Sequence, residues 1–489
     1  MIAMIENVQV MKFGGTSVGD ATRIERAADI IAGGARARPT IAVVSAMSGV
    51  TNCLITAAHQ SASGDENAAG ELSDALGRQH RAAIETLARD DDNRAALQSE
   101  IDRIIGEVTR LCRGTSMLHE LTPRALDAIS SAGERLSARL VAESLRGKGI
   151  EAVAVEATEL IVTDSEHGQA EPLMDKTIER ATARLSPLLA RGVVPVVTGF
   201  IGATVSGVLT TLGRGGSDYS ATILGAALDA AEIIIWTDVE GVLTADPRLV
   251  PEARTLREIS YNEAAELAYF GAKVLHPKTL RPVADAGVPV WIRNSFEPEK
   301  LGTKITTHGH PTESGVKAIT AISDVTMITV GGRGIVGVPG VAAKAFTATA
   351  SARANVLLIS QSSSQNDICF IVNSVDAART VGALRAAFAL DLVHHHVEYI
   401  SVNSDIAIVA VVGDKMRGTP GIVGRVFSSL GREEVNIIAI AQGSSEYNIS
   451  FVVEKGVMRS AVTTVHHEFD LARRGRDIHA DEESGLIKA

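Results

Sequence analysis

The sequence predicts an α/β protein in which a mostly parallel sheet, sandwiched by helices, is followed by two small α+β modules. Three observations carry this prediction. Strand and helix patterns alternate through the first 300 residues. The strand patterns are almost continuously apolar, which is typical of parallel strands buried on both faces. Beyond a linker at 296–313, which contains Pro and Gly, the chain repeats itself at a constant distance of 81 residues.

Six runs rich in Val or Ile predict the strands of the sheet. They are residues 8–13, 41–45, 152–155, 193–198, 232–237 and 288–292. A first helix is predicted at 20–32, because Ile24, Ala27 and Ile31 form an apolar stripe at helical spacing. Residues 60–125 are charged and nearly without strand patterns, so they predict a helical insertion on the sheet.

The repeat lies in the last third of the chain. VPGVAAKAF at 338 matches TPGIVGRVF at 419, and NVLLISQSSSQNDICFIV at 355 matches NIIAIAQGSSEYNISFVV at 436. Each copy predicts a strand, a Pro-Gly turn, a helix, a hairpin of two strands and a final helix. The predicted domains are 1–300, 314–395 and 396–475, and the polar residues after about Phe469 are expected to fray.

Composition excludes several classes of partner. The chain has 489 residues and a net charge of −11, which argues against nucleic acid and anionic membranes as partners. Cys53, Cys112 and Cys369 form neither a metal-ligand spacing nor a disulfide framework. The N-terminus lacks the pattern of a leader, and no window approaches 18 uninterrupted apolar residues. We therefore expect a soluble, cytoplasmic protein.

The stretch VMKFGGTSVGD at 10–20 predicts an anion site. Gly14 and Gly15 allow the backbone to approach a ligand closely, Lys12 adds a positive charge, and Thr16 adds a hydroxyl. A helix beginning near Asp20 offers its positive end. The alternative is a polar strand–helix turn, and we favour the phosphate site.

A second glycine-rich corner, TTLGRGGSDYSA, supports the first. Ser217 or Asp218 could serve simply as a helix N-cap, but a cap does not explain Arg214 between glycines. A planar guanidinium held there suits a carboxylate. Two such corners in one sheet indicate a ligand site, because ligands bind at the carboxyl ends of parallel strands.

Four further stretches are more ambiguous. In SSAGERLSARL, Glu134 is accompanied by arginines that favour a surface ion-pair face, and in SAMSGVTN the hydroxyls of Ser45 and Thr51 suit substrate contact or helix capping. For WTDVEGVLTADPR, ordinary loop chemistry is as good an explanation as a ligand site. In YFGAKVLHPKT, a solvated Lys273 and a turn-forming His276 are the simpler interpretations.

One match is rejected. The run at 332–337 fits G-x-G-x-x-G, but Pro339 and Gly340 interrupt the helix that a dinucleotide fingerprint requires. The second copy of the module lacks the pattern.

Taken in order, these motifs resemble those of the aspartate kinases (aspartokinases) of the amino-acid kinase superfamily, and the duplicated tail is similar to their paired ferredoxin-like ACT domains. The resemblance spans residues 8 to about 456. It implies transfer of the ATP γ-phosphoryl group to the β-carboxylate of L-aspartate, giving 4-phospho-L-aspartate, the first step toward lysine, threonine and methionine. Mg²⁺ would be held mainly by ATP oxygens, without a dedicated protein site.

The resemblance also implies roles for individual residues. Lys12 and Asp218 would be catalytic. Substrate-binding residues would be Ser45, Thr51, Glu134, Arg214, Gly215, Gly216 and Ser217. Nucleotide-binding residues would be Lys12, Phe13, Gly14, Gly15, Thr237, Asp238, Leu243, Asp246, Arg248, Lys273 and Val274. Effector-binding residues would be Pro339, Gly340, Asn355, Gln361 and Gln442.

Two departures from the family pattern qualify these roles. Leu243 stands where the family usually carries an aromatic residue near the base. The modules are most similar to those of bifunctional aspartokinase–homoserine dehydrogenases, yet the chain ends at Ala489, so a monofunctional enzyme is expected. Threonine is the first expectation for the effector and lysine the second, with a homodimer or larger assembly. The alternatives are an amino-acid sensor of weak activity and a kinase of another substrate, such as acetylglutamate.

Overall fold

The structure is a computed structural model, and it describes residues 6–271, 275–312, 314–362, 366–414, 416, 419–441 and 447–473. The chain forms two compact units. The first comprises residues 6–242, 255–265 and 275–309 of the described chain, and the second comprises 243–254, 266–271 and the described residues from 310 onward.

The first unit contains the strands β1 to β11 and the helices α1 to α8 and α10, while α9 begins in it. The strands are β1 (Gln9–Phe13), β2 (Thr40–Val44), β3 (Ala152–Val155), β4 (Val162–Thr163), β5 (Val194–Thr198), β6 (Ile201–Thr204), β7 (Leu209–Thr211), β8 (Glu232–Thr237), β9 (Glu258–Ser260), β10 (Val290–Asn294) and β11 (Thr303–Thr306). The helices are α1 (Ala21–Ala37), α2 (Val50–Ala62), α3 (Ala68–Leu87), α4 (Asp91–Leu118), α5 (Pro123–Ser130), α6 (Ala132–Gly147), α7 (Met174–Ala190), α8 (Gly216–Ala227), α9 (Tyr261–Tyr269) and α10 (Arg281–Ala286).

An eight-stranded sheet forms the centre of this unit, in the order β3-β5-β2-β1-β8-β10-β11-β9. Its pairs are parallel except β10 with β11. Successive strand residues face opposite helical layers: Ile234 joins the core formed with α1 and α6, whereas Ile233 lies against Gly225 of α8. The predicted α/β sandwich is therefore confirmed, because strands covered on both faces must be apolar at every position.

The six predicted strands are confirmed with shifts of at most two residues, and the first helix is confirmed but extends five residues further, to Ala37. Asp20 is the N-cap of α1, where its side chain accepts a hydrogen bond from the Arg23 backbone N–H. The predicted insertion at 60–125 is helical, formed mainly by α3 and α4. The predicted linker at 296–313 is wrong in part, because Thr303–Thr306 forms β11 and pairs with β9 and β10.

The second unit contains one six-stranded antiparallel sheet in the order β13-β14-β12-β15-β17-β16. Its strands are β12 (Val316–Gly331), β13 (Val356–Gln361), β14 (Asp367–Asn373), β15 (Tyr399–Gly413), β16 (Ala439–Ala441) and β17 (Asn448–Glu454). Its helices are α11 (Val341–Ser351), α12 (Ser374–Ala387), α13 (Ala389–Val393), α14 (Ile422–Arg432) and α15 (Met458–Glu468). Each sequence copy thus supplies the predicted order of elements.

The two modules exchange half-strands. Residues 325–331 of β12 pair with β14, whereas 316–322 run beside β15 residues 408–413. Val316 and Ile319 accordingly belong to the core that contains α14 and α15, and Val397 belongs to the core that contains α11 and α12. We call the body that contains α14 and α15 the second module, and the body that contains α11 and α12 the first module. The linear boundaries 314–395 and 396–475 stay predictions.

Candidate active site

The site is built where neighbouring parallel strands end. The backbone N–H of Gly14 donates to Trp236 O (3.2 Å), and that of Ser45 donates to Phe13 O (3.0 Å). The loops after β1, β2 and β8 therefore begin side by side. This follows from parallel pairing in register, with Phe13 opposite both Val44 and Trp236.

Lys12 and Asp218 form a nearly buried ion pair. Lys12 is 7% exposed, and its Nζ lies 2.5 Å from Asp218 Oδ1. Asp218 stands in the first turn of α8, so the positive end of that helix also faces the pair. Gly14 is close beside it, since a Cβ there would lie 3.5 Å from Lys12 Nζ. Lys12, Asp218 and the glycine turn therefore lie close together.

The Arg214 loop depends on its glycines. Gly213 and Gly215 adopt φ of +78° and +73°, a left-handed conformation that side chains rarely adopt. A Cβ on Gly215 would also lie 2.9 Å from the Cβ of His276. Burial lowers the pKa of His276, and the cations Arg214, Lys278 and Arg281 lower it further. His276 Nδ1 accepts a bond from the Lys278 backbone N–H (3.3 Å), as expected for a turn residue.

Glu134 is buried and half satisfied. It is 3% exposed in the first turn of α6, and its Oε1 accepts from the Ala46 N–H (3.2 Å). Its Oε2 has no hydrogen-bond partner among the described residues. Burial raises the pKa of Glu134 to about 8, against the opposing effects of the Ala46 N–H and Lys12. A buried carboxyl with one free oxygen beside a cavity is suited to a cationic ligand.

The ion pairs predicted for that helix form at its arginines and do not include Glu134. Arg135 bonds Glu107 and Glu156, and Arg139 bonds Glu100 and Glu156. Gly133 lets α6 approach the loop after β2 closely, because a Cβ there would lie 2.6 Å from Ala46 Cβ. Glu134 therefore faces the loop after β2, whereas Arg135 and Arg139, with side chains only 11% and 13% exposed, are held in ion pairs.

One cavity of about 850 Å³ is lined by all the predicted catalytic and substrate-binding residues. This volume lies within the range of small-molecule sites. Among its lining residues are Lys12, Gly15, Thr16, Ser45, Thr51, Glu134, Arg214, Gly215, Gly216, Ser217, Asp218 and Asp238. Phe13, Gly14 and Thr237 are not among them. The site expected at the carboxyl ends of the strands is therefore a real concavity.

The remaining predicted nucleotide residues are not among those that line this cavity. Leu243, Asp246 and Arg248 belong to the segment 243–254 of the second unit, where Arg248 Nη2 lies 2.5 Å from Asp246 Oδ2. Lys273 and Val274 lie outside the described residues.

The predicted effector residues separate into two places. Pro339 and Gly340 line a cavity of about 340 Å³ in the first module, together with Ile335, Val338, Val341, Lys344, Phe388, Asp391, His396 and Val397. Asn355 is instead hydrogen-bonded to Tyr269, and Gln361 is exposed at the end of the edge strand β13. Gln442 lies outside the described residues.

Sequence reasoning missed several residues of the main cavity, among them Phe200 and Asp127. Phe200 lines the cavity with φ of +70°, and no local pattern marks it as a site residue. Asp127 was missed because a single aspartate in a helical pattern is usually solvated; it is buried and lines the same cavity. Among the described residues, no group of three or more His, Cys, Asp or Glu side chains is placed to hold a metal ion. No described helix is both long and apolar enough to cross a membrane.

Comparison with known proteins gives two family matches. The amino acid kinase family model matches residues 7–294, and an ACT domain model matches residues 328–388 and again 409–469. These two matches correspond to the parallel-sheet region and to the two modules.

Similar proteins cover almost the whole chain. The bifunctional aspartokinase/homoserine dehydrogenase 1 of Arabidopsis thaliana is 35% identical over 95% of this chain, which spans 51% of that protein. The chain thus spans about half the length of the bifunctional relatives it matches. Aspartokinase 1 of Arabidopsis thaliana is 33% identical over 94% of the chain and 80% of its own length.

A solved structure resembles the chain over its length. Escherichia coli aspartokinase III in complex with aspartate and ADP (R-state) has a TM-score of 0.78 at 32% identity, covering 94% of this chain and 99% of its own. The same enzyme with lysine and aspartate (T-state) has a TM-score of 0.77 at 32% identity and the same coverage.

Proposed function

Because this chain belongs to the amino acid kinase family and, within it, to the aspartokinases, we propose that it transfers the ATP γ-phosphoryl group to the β-carboxylate of L-aspartate. The products are 4-phospho-L-aspartate and ADP. This reaction is the first step toward lysine, threonine and methionine. The observation that carries the proposal is the convergence of the Lys12–Asp218 pair, Glu134 and Arg214 on one cavity.

The acceptor amino acid fits one side of the cavity. Glu134 offers its free oxygen to the substrate ammonium, and Arg214 offers its guanidinium to the α-carboxylate. Ser45, Thr51 and Ser217 supply hydroxyls along the same wall, where Gly215 and Gly216 leave room for the backbone to approach. Recognition of both charged ends leaves the β-carboxylate directed toward Lys12.

The chemistry needs no general base. The β-carboxylate, with a reference pKa of about 3.9, is ionised at neutral pH and attacks the γ-phosphorus directly. One carboxylate oxygen–phosphorus bond forms, and the bond to the ADP oxygen breaks. Lys12, held by Asp218, neutralises charge on the transferring group. The E. coli neighbour with aspartate and ADP supports this assignment of substrates.

The nucleotide side rests on the glycine turn. Gly14, Gly15 and Thr16 would present backbone N–H groups and a hydroxyl to phosphate, while Phe13, Thr237 and Asp238 frame the strand ends beside them. We include Leu243, Asp246, Arg248, Lys273 and Val274 in the nucleotide site on the family resemblance alone. Mg²⁺ belongs to this proposal as the general partner of kinase phosphates, which would hold it with water.

The proposal is tested by trapping the acyl phosphate. Hydroxylamine should give aspartyl hydroxamate only when ATP, Mg²⁺ and L-aspartate are all present, and far less with glutamate or acetylglutamate. ATP hydrolysis without hydroxamate, by purified protein, contradicts the proposal.

Lys12 gives a sharper test. Lys12→Ala should lower kcat by roughly 10²–10³, as expected when one preorganised donor to the transition state is lost, with a smaller change in the aspartate KM. Lys148→Ala removes a cation from a surface ion pair with Asp29 and is the matched control. A folded Lys12→Ala protein with normal kcat excludes the role.

Glu134 gives the reaction a pH dependence. With a pKa of about 8, the free site is mostly protonated at pH 7 and must release its proton to pair with the ammonium. The aspartate KM should therefore fall, up to about tenfold per unit, as pH rises toward 8. Glu134→Gln should remove this dependence and raise KM. Glu143→Gln, a buried carboxylate of the same helix paired with Arg89 and Arg146, should retain it.

We also propose feedback control by a small amino acid, threonine first and lysine second. The Q-x-S-S pattern after Gln361 supports threonine, and the lysine complex of the E. coli enzyme supports lysine. A homodimer or larger assembly through the modules is supported by exposed apolar side chains such as Ile359, 52% exposed, and is tested by sedimentation. A cytoplasmic location is supported by the few, widely spaced cysteines.

A further inference from the structure

Asp127 is a buried carboxylate that joins three segments. It lies in α5 and is 2% exposed. Its Oδ2 is 2.6 Å from His167 Nδ1 and accepts from the Gly168 N–H at 3.2 Å, while its Oδ1 accepts from Thr211 Oγ1 at 2.6 Å. All three partners lie at least 40 residues away in the sequence. A buried carboxylate with this many donors is held firmly in one orientation.

The partners of Asp127 lead directly into the Arg214 loop. Thr211 is the last residue of β7, and Gly213 and Arg214 follow within three positions. The Thr211 carbonyl accepts from the Ala170 N–H (2.9 Å), which fastens β7 to the loop 164–171. Gly168 is packed against the next turn, since a Cβ on Gly213 would lie 2.9 Å from Gly168 O.

These residues also line the main cavity. Asp127, Gly168, Thr211, Gly213 and Arg214 all line it. The negative charge of Asp127 is engaged by its three donors, so this carboxylate is not available as a second anion for the acceptor's ammonium, a role that Glu134 can fill through its free oxygen. Its effect on a ligand must therefore pass through the loop that carries Arg214.

We propose that Asp127 is a positioning residue that fixes the Arg214 loop and thereby sets the affinity for the α-carboxylate of the acceptor amino acid. The inference rests on the proposed function. It predicts an effect on the amino-acid side of the reaction alone, because Asp127 contacts neither Lys12 nor the turn at Gly14 and Gly15 among the contacts described above.

The experiment compares steady-state constants for both substrates. Asp127→Asn keeps the shape but removes the charge, and the aspartate KM should rise roughly tenfold, the lower end of what losing a charge-assisted hydrogen bond causes. The ATP KM should change less than about twofold and kcat at saturation less than about threefold, since the phosphoryl side is untouched. Calorimetric titration with aspartate alone should show the same loss of affinity.

Variants of Thr211 test the same link from its other end. Thr211→Val removes the hydroxyl that donates to Asp127 at nearly constant volume and should raise the aspartate KM, whereas Thr211→Ser should restore it. In the Asp127→Asn/Thr211→Val double variant the two effects should be less than multiplicative, because both weaken the same hydrogen-bond network. Asp164→Asn is the control, because Asp164 caps the same loop at the Glu166 and Glu171 N–H groups without reaching β7.

The outcomes separate the two proposals. A wild-type protein that forms no aspartyl hydroxamate overturns the proposed function and this inference with it. A wild type that turns over, with Asp127→Asn at the normal aspartate KM or with both KM values raised alike, overturns the inference alone. If Asp127→Asn does not fold, Thr211→Val decides: a normal aspartate KM in that variant overturns the inference, and a raised one reversed by Thr211→Ser supports it.

Discussion

The two modules descend from one sequence pattern but differ in what covers their final helix. Arg385 on α12 of the first module is exposed. The residue 81 positions later, His466 on α15, is fully buried and its Nε2 lies 3.0 Å from Thr244 Oγ1. Thr244 comes from the segment 243–254, which also bonds β12 through Ile319 N–H and Thr244 O (2.8 Å).

The covering segment completes the second module. Ala245 and Val250 are part of its core, and Arg254 Nε donates to the Leu471 carbonyl at 2.9 Å. The first module has a cavity of about 340 Å³ beside its Pro-Gly turn. The comparison teaches that the duplication gave both modules one framework, whereas the segment 243–254 packs into the core of the second module and gives it different surroundings. We therefore expect mutations in the second module to change stability and those in the first to change ligand response.

The largest effect should come from His466. His466→Ala should lower the free energy of unfolding by roughly 2–4 kcal/mol, because it leaves a cavity and removes the partner of Thr244. Arg385→Ala, its counterpart, should change it by less than about 0.5 kcal/mol. Urea denaturation followed by circular dichroism measures both. Equal losses in the two variants would remove the distinction between the modules.

A second test uses the glutamines. If an amino acid is bound at the first module, Gln361→Ala should raise the threonine concentration for half-inhibition at least tenfold, or about 1.4 kcal/mol, with kcat intact. The side chain has both donors and an acceptor at the end of an exposed edge strand. Gln442→Ala is the counterpart and should have the smaller effect. A larger effect of Gln442→Ala would assign the response to the second module.

The third test is pH. Burial lowers the pKa of His466, His467 and Arg254 lower it further, and Glu252 opposes them. The unfolded chain then binds the proton more readily, so stability is full above about pH 6.5 and falls as the pH drops below it. His466→Gln should flatten this pH dependence of stability. Comparing the variant with the wild type cancels the contribution of His80, which is buried in both proteins. An unchanged slope would mean that His466 does not titrate in this range.

The smallest effects should come from a feature that the modules share. Lys344 lies 4.9 Å from the Phe388 ring and pairs with Asp391, and Arg425 lies 4.2 Å from the Phe469 ring and pairs with Glu468. Because these pairs are partly exposed, Lys344→Met and Arg425→Met should each cost about 0.5–1 kcal/mol, with Arg425→Met at the upper end. Thermal unfolding compares the two losses of stability, and a larger loss in Lys344→Met than in Arg425→Met would contradict the prediction.

The sequence by itself determined the elements and the chemistry of the two glycine corners. Apolar runs fixed the strands, Asp20 fixed the start of α1, and the distance of 81 residues fixed the duplication. These features are local because each depends on neighbours within a few residues or on a repeated pattern. The family resemblance then joined Lys12 to Asp218, and the structure brings them to 2.5 Å.

Only the tertiary structure decided which side chains lost contact with water. Glu134 and the neighbouring Arg135 have similar local sequence surroundings, yet only Glu134 packs beneath the loop after β2 and has its pKa raised to about 8. Asp127 gained its role from donors at His167 and Thr211. His466 and Arg385 occupy equivalent positions, and a segment more than 200 residues before His466 buried it. Burial and pairing depend on contacts between distant parts of the chain, which no local pattern specifies, and they set the charge state of each group.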